Sequence, residues 1–305
     1  MGVMSVFEDS PLQGFEWNQM ILDGSDWDGQ NTLLTIMAVN QTGGMNVIGT
    51  AFPLTVSGGV MVCASAAHVF EEIRRLQTPH RRHAPSTLSE FLPEPSEVNV
   101  DSRSVLVFCV QDGHPTLAAI SNLLFDDQVD VAFFTIESQN SSNRLVDSLG
   151  FLVDGVAPEI GSLACVFSRK YEDINSEISK NGDSAFRVAY SDSLRIGRVL
   201  AYHPDGHRLC KGPCVETSIP VFSGMSGGPA IHYDYNAGGA MRVFGVVCSD
   251  PDPDTSQKMD RRFAGRSIIA LIPAQLDGKK LTVLLNAPHS NTGGALKKAL
   301  DSIQR

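Results

Sequence analysis

Short apolar runs separated by turn signals occur along most of the chain, and this pattern constrains the fold more than any other feature. Stretches with helical periodicity are few, and the runs are rich in valine, isoleucine and phenylalanine, as strands are. The runs include residues 32–39, 47–55, 60–64, 105–110, 117–120, 129–136, 163–167, 194–201, 243–248 and 267–272. Many short strands with few helices favour an all-β barrel architecture that carries functional groups on its loops.

One loop between two such runs places a serine among glycines. Its sequence is Gly224-Met225-Ser226-Gly227-Gly228-Pro229. Because Gly224 lacks a Cβ, the chain can approach a substrate oxygen closely there or adopt a positive φ. Pro229 prevents the loop from continuing as a helix. A serine hydroxyl is a weak nucleophile at its ordinary pKa, so this loop predicts catalysis only if the chain also supplies a base and an orienting acid.

Two earlier segments supply candidates for the base and the acid. His68 follows an apolar strand-like run that ends in small residues, which would let the imidazole lie against the backbone with one edge facing a cleft. Asp130 stands at the start of the apolar run 131–134. A shielded carboxylate there can hold the imidazole in one tautomer and stabilise the imidazolium as it forms. Asp126 and Asp127 are alternatives for this acid.

These segments resemble the three signatures of the trypsin-like (chymotrypsin-fold) serine proteases, in that family's order. The matching residues are Ala66-Ala67-His68, Asp130-Val131-Ala132 and Gly224-Met225-Ser226-Gly227-Gly228-Pro229, and the resemblance covers about residues 31–285. It implies an all-β fold of two six-stranded β-barrels with the active site in the cleft between them. It also favours Asp130 as the acid, because the family's aspartate directly precedes an apolar run.

The resemblance implies a serine endopeptidase that hydrolyses peptide bonds through an acyl-enzyme. His68 would accept the proton of Ser226 and donate it to the leaving amine, and Asp130 would orient His68. The backbone amides of Gly224 and Ser226 would form the oxyanion hole. Met225 replaces the aspartate that digestive members place before the serine, so we expect no activation by propeptide cleavage of that kind.

The family's specificity pocket can be placed on the same sequence. Its base falls at Pro220, and one wall falls at Cys248 and Ser249. Because the base carries no aspartate, a lysine- or arginine-directed pocket is not expected. We predict a small or apolar residue before the scissile bond.

Two other interpretations use the same residues. The pattern from Gly224 to Gly228 also fits the α/β-hydrolases, but that fold needs a helix after the serine and a later histidine as the base, and Gly228-Pro229 begins a helix poorly. The second alternative keeps the trypsin fold but makes it a catalytically silent or partner-gated binding and scaffold module. An activating protein partner therefore stays open.

Composition limits the partners and the compartment. The chain has 305 residues and a formal net charge of −10, which argues against nucleic acid as the main partner. The resemblance to serine proteases implies a protein or peptide substrate. It holds no apolar run long enough for a membrane span and begins without a secretory signal pattern. Val69 occupies the place where secreted family members commonly carry a bridged cysteine. We therefore expect six free thiols and a cytoplasmic protein.

The predicted organisation has three parts. Residues 1–30 form an N-terminal extension, residues 31–289 form the peptidase domain, and residues 290–305 form a short C-terminal helix or tail. Within the domain, the first barrel spans about 31–140 and the second about 160–285. No cofactor or metal is expected. His203, His207, Cys210 and Cys214 have the chemistry of zinc ligands, but their spacing is not that of a standard zinc finger.

Overall fold

The computed structural model describes the chain in segments that are almost entirely β. These are residues 12, 16–22, 33–39, 45–57, 60–70, 105–111, 114–126, 129–137, 151–178, 184–207, 210–222, 224–233, 241–249, 266–273 and 281–284. A single helical turn at residues 67–70 follows one strand. Within the described segments, no helix is long and apolar enough to cross a membrane.

The strands are β1 (Trp17–Leu22), β2 (Leu34–Val39), β3 (Met45–Ser57), β4 (Val60–Ser65), β5 (Val105–Gln111), β6 (His114–Asp126), β7 (Ala132–Glu137), β8 (Leu152–Val153), β9 (Leu163–Ile178), β10 (Ser184–His203), β11 (Cys214–Thr217), β12 (Pro229–His232), β13 (Arg242–Ser249), β14 (Ser267–Leu271) and β15 (Leu281–Leu284). All of their pairings are antiparallel except the short parallel contact of β8 with β13.

Six strands of the first half close into a barrel. Starting from β2, the hydrogen-bonded path runs through β3, β4, β7, β6 and β5 and returns to β2. Closure removes the unpaired strand edges that would otherwise invite aggregation. The interior is filled by fully buried apolar side chains, which include Leu34, Ile36, Phe52, Met61 and Phe134.

Six strands of the second half close in the same way. The path runs from β9 through β10, β11, β14, β13 and β12 back to β9. A separate cluster of buried apolar side chains belongs to this barrel, and it includes Val166, Val199, Phe244, Val247 and Ile269. The predicted all-β fold of two six-stranded barrels is therefore confirmed by the connectivity itself.

Aromatic side chains link the two barrels. Phe151, in the connection between them, packs edge-on against Phe52 of the first barrel with ring centroids 5.3 Å apart. It also lies 6.2 Å from the ring of Phe167 in the second barrel. All three rings are almost fully buried, and such contacts contribute about 0.5–1.5 kcal/mol each beyond the area that they bury. The boundary between the barrels is thus a packed apolar surface.

Both ends of the described chain cross to the opposite barrel. β1 precedes the first barrel in sequence but pairs with β10 of the second. We predicted that the second barrel would run to about residue 285, but β15 pairs instead with β6 of the first. The apolar pattern of a short segment predicts that it forms a strand, but it does not specify the strand with which it pairs. The partner of β15 therefore could not be predicted from its own sequence. The predicted C-terminal helix or tail at 290–305 lies outside the described residues.

Candidate active site

His68 and Asp130 are brought together by the pairing of β4 with β7. Ser65 at the end of β4 lies opposite Ala132 at the start of β7, so the residues just beyond each strand become neighbours. The Asp130 carboxylate accepts two hydrogen bonds from His68: Nδ1 lies 2.7 Å from Oδ2, and the backbone N–H of His68 donates to Oδ1 over 2.9 Å. The imidazole is therefore fixed through both its ring and its backbone.

The Asp130 carboxylate is buried and remains ionised. Its side chain is only 2% exposed, whereas the His68 side chain is 27% exposed, so one edge of the imidazole faces outward. Burial raises the pKa of Asp130, but the charge of His68 and hydrogen bonds from the His68 ring, the Cys248 thiol and the His68 backbone outweigh it. The net pKa of Asp130 is lowered below its ordinary value, which keeps the carboxylate charged at neutral pH.

The Ser226 loop is a pair of tight turns that leads directly into β12. Met225 N–H donates to the Phe222 carbonyl over 3.0 Å, and Gly228 N–H donates to the Met225 carbonyl over 3.0 Å. Gly224 and Gly227 have φ values of 91° and 88°, in the left-handed region where a side chain would be strained. The glycines on either side of Ser226 are thus required by backbone conformation.

Thr50 of the first barrel holds this loop in place. Its backbone N–H donates to the carbonyl of Ser226 over 2.7 Å, and its hydroxyl donates to the carbonyl of Gly224 over 2.7 Å. Its own carbonyl accepts a hydrogen bond of 2.7 Å from the Ser65 hydroxyl. A Cβ at Gly227 would collide with the Thr50 carbonyl and the Ser65 hydroxyl, so this glycine permits the close approach.

Cys248 stands where the components from the two barrels meet. The Ser226 hydroxyl donates to the Cys248 carbonyl over 2.9 Å, which places Ser226 beside this residue. The Cys248 Sγ, a ring nitrogen of His68 and a carboxylate oxygen of Asp130 all lie within 4.8 Å of one another. Burial raises the pKa of the Cys248 thiol to about 12, so the thiol is neutral and can donate to Asp130. The structure therefore brings the three predicted triad residues to one place.

The predicted oxyanion-hole amides belong to the same loop. Within the described part of the chain, the backbone N–H groups of Gly224 and Ser226 donate to no other group. Partial exposure of both residues leaves these amides able to receive an oxygen from outside the loop.

The three residues predicted for the specificity pocket take different positions. Pro220 is buried, and its carbonyl is hydrogen bonded within the second barrel. The buried Cys248 Sγ lies between Cys210 Sγ, 3.7 Å away, and the His68–Asp130 pair. The side chain of Ser249 lies outside the described part of the structure. Neither the contacts of the Cys248 thiol nor the role of Thr50 has a recognisable pattern in the sequence.

The four residues with zinc-ligand chemistry separate into two pairs. His203 and His207 stack on each other with ring centroids 4.3 Å apart, and His203 Nε2 lies 3.5 Å from a carboxylate oxygen of Glu216. Cys210 and Cys214 are buried, and Cys210 faces Cys248. Within the described residues, His68, Asp130 and Cys248 form the group whose atoms are close enough for metal ligation. All six cysteines are free and buried, as predicted.

Two closed six-stranded barrels, with histidine, aspartate and serine gathered at their boundary, make this a chymotrypsin-fold protein. No protein family model and no curated protein matches the chain. Solved structures do resemble it. The protease domain of MamO from Magnetospirillum magneticum is 13% identical over 81% of this chain and 93% of that chain, with a TM-score of 0.40. Human heparin binding protein is 11% identical over 84% of this chain and 91% of that chain, with a TM-score of 0.44.

Proposed function

We propose that the protein is a serine endopeptidase that uses Ser226, His68 and Asp130 as a catalytic triad. The observation that carries the proposal is the doubly bonded His68–Asp130 pair, with the Ser226 loop clamped beside it across the barrel boundary. A buried carboxylate that holds one ring nitrogen fixes the tautomer and leaves the other nitrogen as the base. A structural histidine would not need this arrangement next to a glycine-bounded serine.

The chemistry follows from these positions. His68 Nε2 takes the Ser226 proton as Oγ attacks the peptide carbonyl carbon, and the resulting imidazolium is stabilised by Asp130. Charge develops on the substrate oxygen, which the backbone amides of Gly224 and Ser226 receive, and each such donor contributes about 3 kcal/mol to transition-state stabilisation. His68 then protonates the leaving amine. His68 next accepts a proton from the water that attacks the acyl-enzyme and returns it to the Ser226 Oγ. This releases the acid product and free Ser226.

A fluorophosphonate probe tests this proposal directly, because it phosphonylates only a serine that is activated by a base. We expect labelling of the wild-type protein and none of Ser226→Ala, with labelling of His68→Ala lowered by a thousandfold or more, on the order of the loss when a triad member is removed. Circular dichroism of each variant establishes that it is folded. Absence of labelling in folded wild-type protein would overturn the proposal.

A second candidate is a silent or partner-gated module, and one observation favours it. The Ser226 hydroxyl has a single hydrogen, and in this structure it is directed to the Cys248 carbonyl. Attack requires the hydroxyl to rotate toward His68. If this rotation needs a bound partner, probe labelling will be slow in the purified protein and will accelerate in an extract of its native host. If the protein is labelled neither alone nor in the extract, the scaffold function replaces the enzymatic one.

We also propose that the protein works in a reducing compartment, and we favour the cytoplasm. Six unbridged, buried cysteines support this, because the oxidising compartments favour disulfides in proteins that are exposed to them. The expected partner is a protein or peptide substrate. Mass spectrometry of alkylated protein, isolated from its native host under acid quench, should find all six thiols reduced.

A further inference from the structure

Arg195 is a buried cation on strand β10 of the second barrel. It lies on β10 opposite Val166 of β9, and Val166 belongs to the core cluster of that barrel. Side chains alternate along a strand, so Arg195 shares its face with Gly197 and with the core residue Val199. Arg195 is only 7% exposed. The Arg195 side chain therefore lies on a buried strand face that carries the core residue Val199 and, on the other side of Arg195, Ser193, whose hydroxyl is hydrogen bonded to the Ser168 hydroxyl.

The guanidinium contacts the segment that leads into the Ser226 loop. Nη1 donates to the Pro220 carbonyl over 2.6 Å, and the guanidinium carbon lies 4.6 Å from the centre of the Phe222 ring. The ring of Trp17 lies 5.8 Å away on β1. Nε is buried and has no hydrogen-bond partner within the described part of the chain. At least one strong donor of this cation is thus unused.

A second buried arginine shows what Arg195 lacks. Arg169 is 2% exposed and forms a two-pronged pair with Asp192, over 2.7 and 2.8 Å, and it donates to the Leu33 carbonyl as well. Among the described residues, no carboxylate lies within salt-bridge distance of Arg195. Burial without such a partner lowers the pKa of the Arg195 guanidinium. An unpaired buried charge is costly, and an anionic ligand would remove that cost.

The guanidinium contacts residues that lie only a few positions before Ser226, and this limits which part of a substrate could reach it. Phe222 is four residues before Ser226, a separation of at most ~14 Å of extended chain, and the turn from Phe222 to Met225 shortens it. During catalysis, the residue that supplies the scissile carbonyl is fixed by its bond to Ser226. The side chain of that residue enters the pocket whose base is predicted at Pro220, and Arg195 donates to the Pro220 carbonyl. A carboxylate on a short flexible stem would complete the charge pair with Arg195.

We propose that Arg195 binds the carboxylate of an acidic residue, glutamate in the first place, immediately before the scissile bond. This inference rests on the proposed peptidase function and names its substrate class. It replaces the expectation of a small or apolar residue there, which considered the side chain of Pro220 and not the cation bonded to its carbonyl. Phe222, which is 62% exposed, forms the lip over the guanidinium.

The test compares peptides that differ only at this position, with glutamate, glutamine, alanine or lysine. We expect the wild-type protein to cleave the glutamate peptide with kcat/KM about tenfold or more above the glutamine peptide, since a site built for a polar partner discriminates strongly against its absence. In Arg195→Gln, the glutamate-to-glutamine ratio should fall to about one. The control is Arg198→Gln on the same strand, whose exposed side chain contacts the Gly161 carbonyl, and its ratio should match the wild type.

A second measurement does not depend on catalysis. Isothermal titration of full-length Ser226→Ala with the four peptides should show tightest binding of the glutamate peptide, weakening as ionic strength rises. If the wild type cleaves the glutamine or alanine peptide as well as the glutamate peptide, the specificity proposal is overturned and the peptidase function stands. If nothing is cleaved but Ser226→Ala still prefers glutamate, the carboxylate site stands and the peptidase function fails. A glutamate preference that persists in Arg195→Gln would overturn the assignment to Arg195.

Discussion

The two barrels contribute to the candidate active site in different ways. The first barrel joins His68 to Asp130 directly, because β4 and β7 pair next to both residues, and the second barrel adds the Cys248 thiol as a further donor to Asp130. The second barrel carries Ser226 on a turn whose carbonyls are held by Thr50 of the other barrel. The base and the acid are therefore positioned by one barrel, whereas the nucleophile is positioned by the boundary between the two.

Because of this difference, substitutions in the first barrel and substitutions at the boundary should impair the site in different ways. A change inside the first barrel should weaken the base while leaving the serine loop where it is. A change at the boundary should misplace the serine while the imidazole and carboxylate stay paired. The His68–Asp130 bond can be observed independently by proton NMR, since the Nδ1 proton of such a pair resonates far downfield, so the two kinds of damage are distinguishable.

The largest effect is expected for Asp130→Asn. The amide cannot stabilise the imidazolium, and it favours the wrong tautomer of His68. We expect the rate of fluorophosphonate labelling to fall on the order of a thousandfold or more, with the overall fold retained. The downfield Nδ1 resonance should vanish in the same sample. Labelling within a few-fold of the wild-type rate would show that Asp130 does not orient the base.

Gly227→Ala should produce the next largest effect, and Gly161→Ala is its matched control. Both glycines have φ of +88°, but a Cβ at Gly161 has nothing within 4 Å, whereas a Cβ at Gly227 meets backbone of the other barrel. We expect Gly161→Ala to cost about 1–2 kcal/mol of unfolding free energy, and Gly227→Ala about 2–5 kcal/mol. Urea unfolding measures both. Equal costs would mean that the barrels do not approach closely at Thr50.

Thr50→Val tests the clamp with almost no change in volume. It removes the hydroxyl that donates to the Gly224 carbonyl and leaves the backbone bond to Ser226. We expect about 1–2 kcal/mol of destabilisation, and a labelling rate lowered by about tenfold, because the oxyanion amides lose their support. The downfield His68 resonance should be unchanged. Thr55→Val on the same strand is the control, and an equal loss there would contradict the clamp.

The smallest effect is expected for Cys248→Ala, on the pH at which the protein unfolds in acid. Asp130 has a pKa below its ordinary 3.8, so its ionised form stabilises the fold above that value, and the stabilisation is lost as pH falls through the lowered pKa. Losing the thiol donor raises the pKa of Asp130 toward the unfolded value. The acid-unfolding midpoint should therefore move up by a few tenths of a pH unit.

Two further variants decide the cause of that shift. Cys248→Ser retains a donor to Asp130, so it should return the midpoint toward the wild-type pH. Cys165→Ala removes another buried thiol and should lower the unfolding free energy by the same amount at neutral and at acid pH, so the pH dependence of its stability should match the wild type. If Cys248→Ala also loses the same unfolding free energy at both pH values, its midpoint shift is due to the cavity and not to the pKa of Asp130.

The sequence predicted the candidate catalytic residues where they adjoin the end of a strand-like apolar run. His68 and Asp130 adjoin apolar runs, and Ser226 lies between glycines that the structure shows to be conformationally required, so their types and surroundings could be recognised. The pairing of Ser65 with Ala132 could not be recognised, although it is what joins the base to the acid. The expectation of two closed six-stranded barrels came from the resemblance to the family. The pattern of apolar runs predicts strands but does not specify which strands pair.

The residues that sequence reasoning missed all act across long separations. Thr50 meets the serine loop from 174 residues away, and it looks like an ordinary strand threonine in the sequence. Arg195 becomes notable only because no carboxylate of the described segments reaches it. Cys248 was placed on a pocket wall, but its thiol faces the triad carboxylate. Side-chain direction at a barrel boundary depends on both barrels, and a local pattern does not contain that information.

The exchange of the terminal strands has a consequence for how this chain can be divided. β1 pairs with the second barrel although it precedes the first, and β15 pairs with the first barrel although it follows the second. If the chain is cut between the two barrels, the N-terminal fragment carries β1 without its partner β10, and the C-terminal fragment carries β15 without its partner β6. The two barrels therefore form a single interlocked unit, and complementation by two separately expressed fragments would have to rebuild both exchanged strands at once.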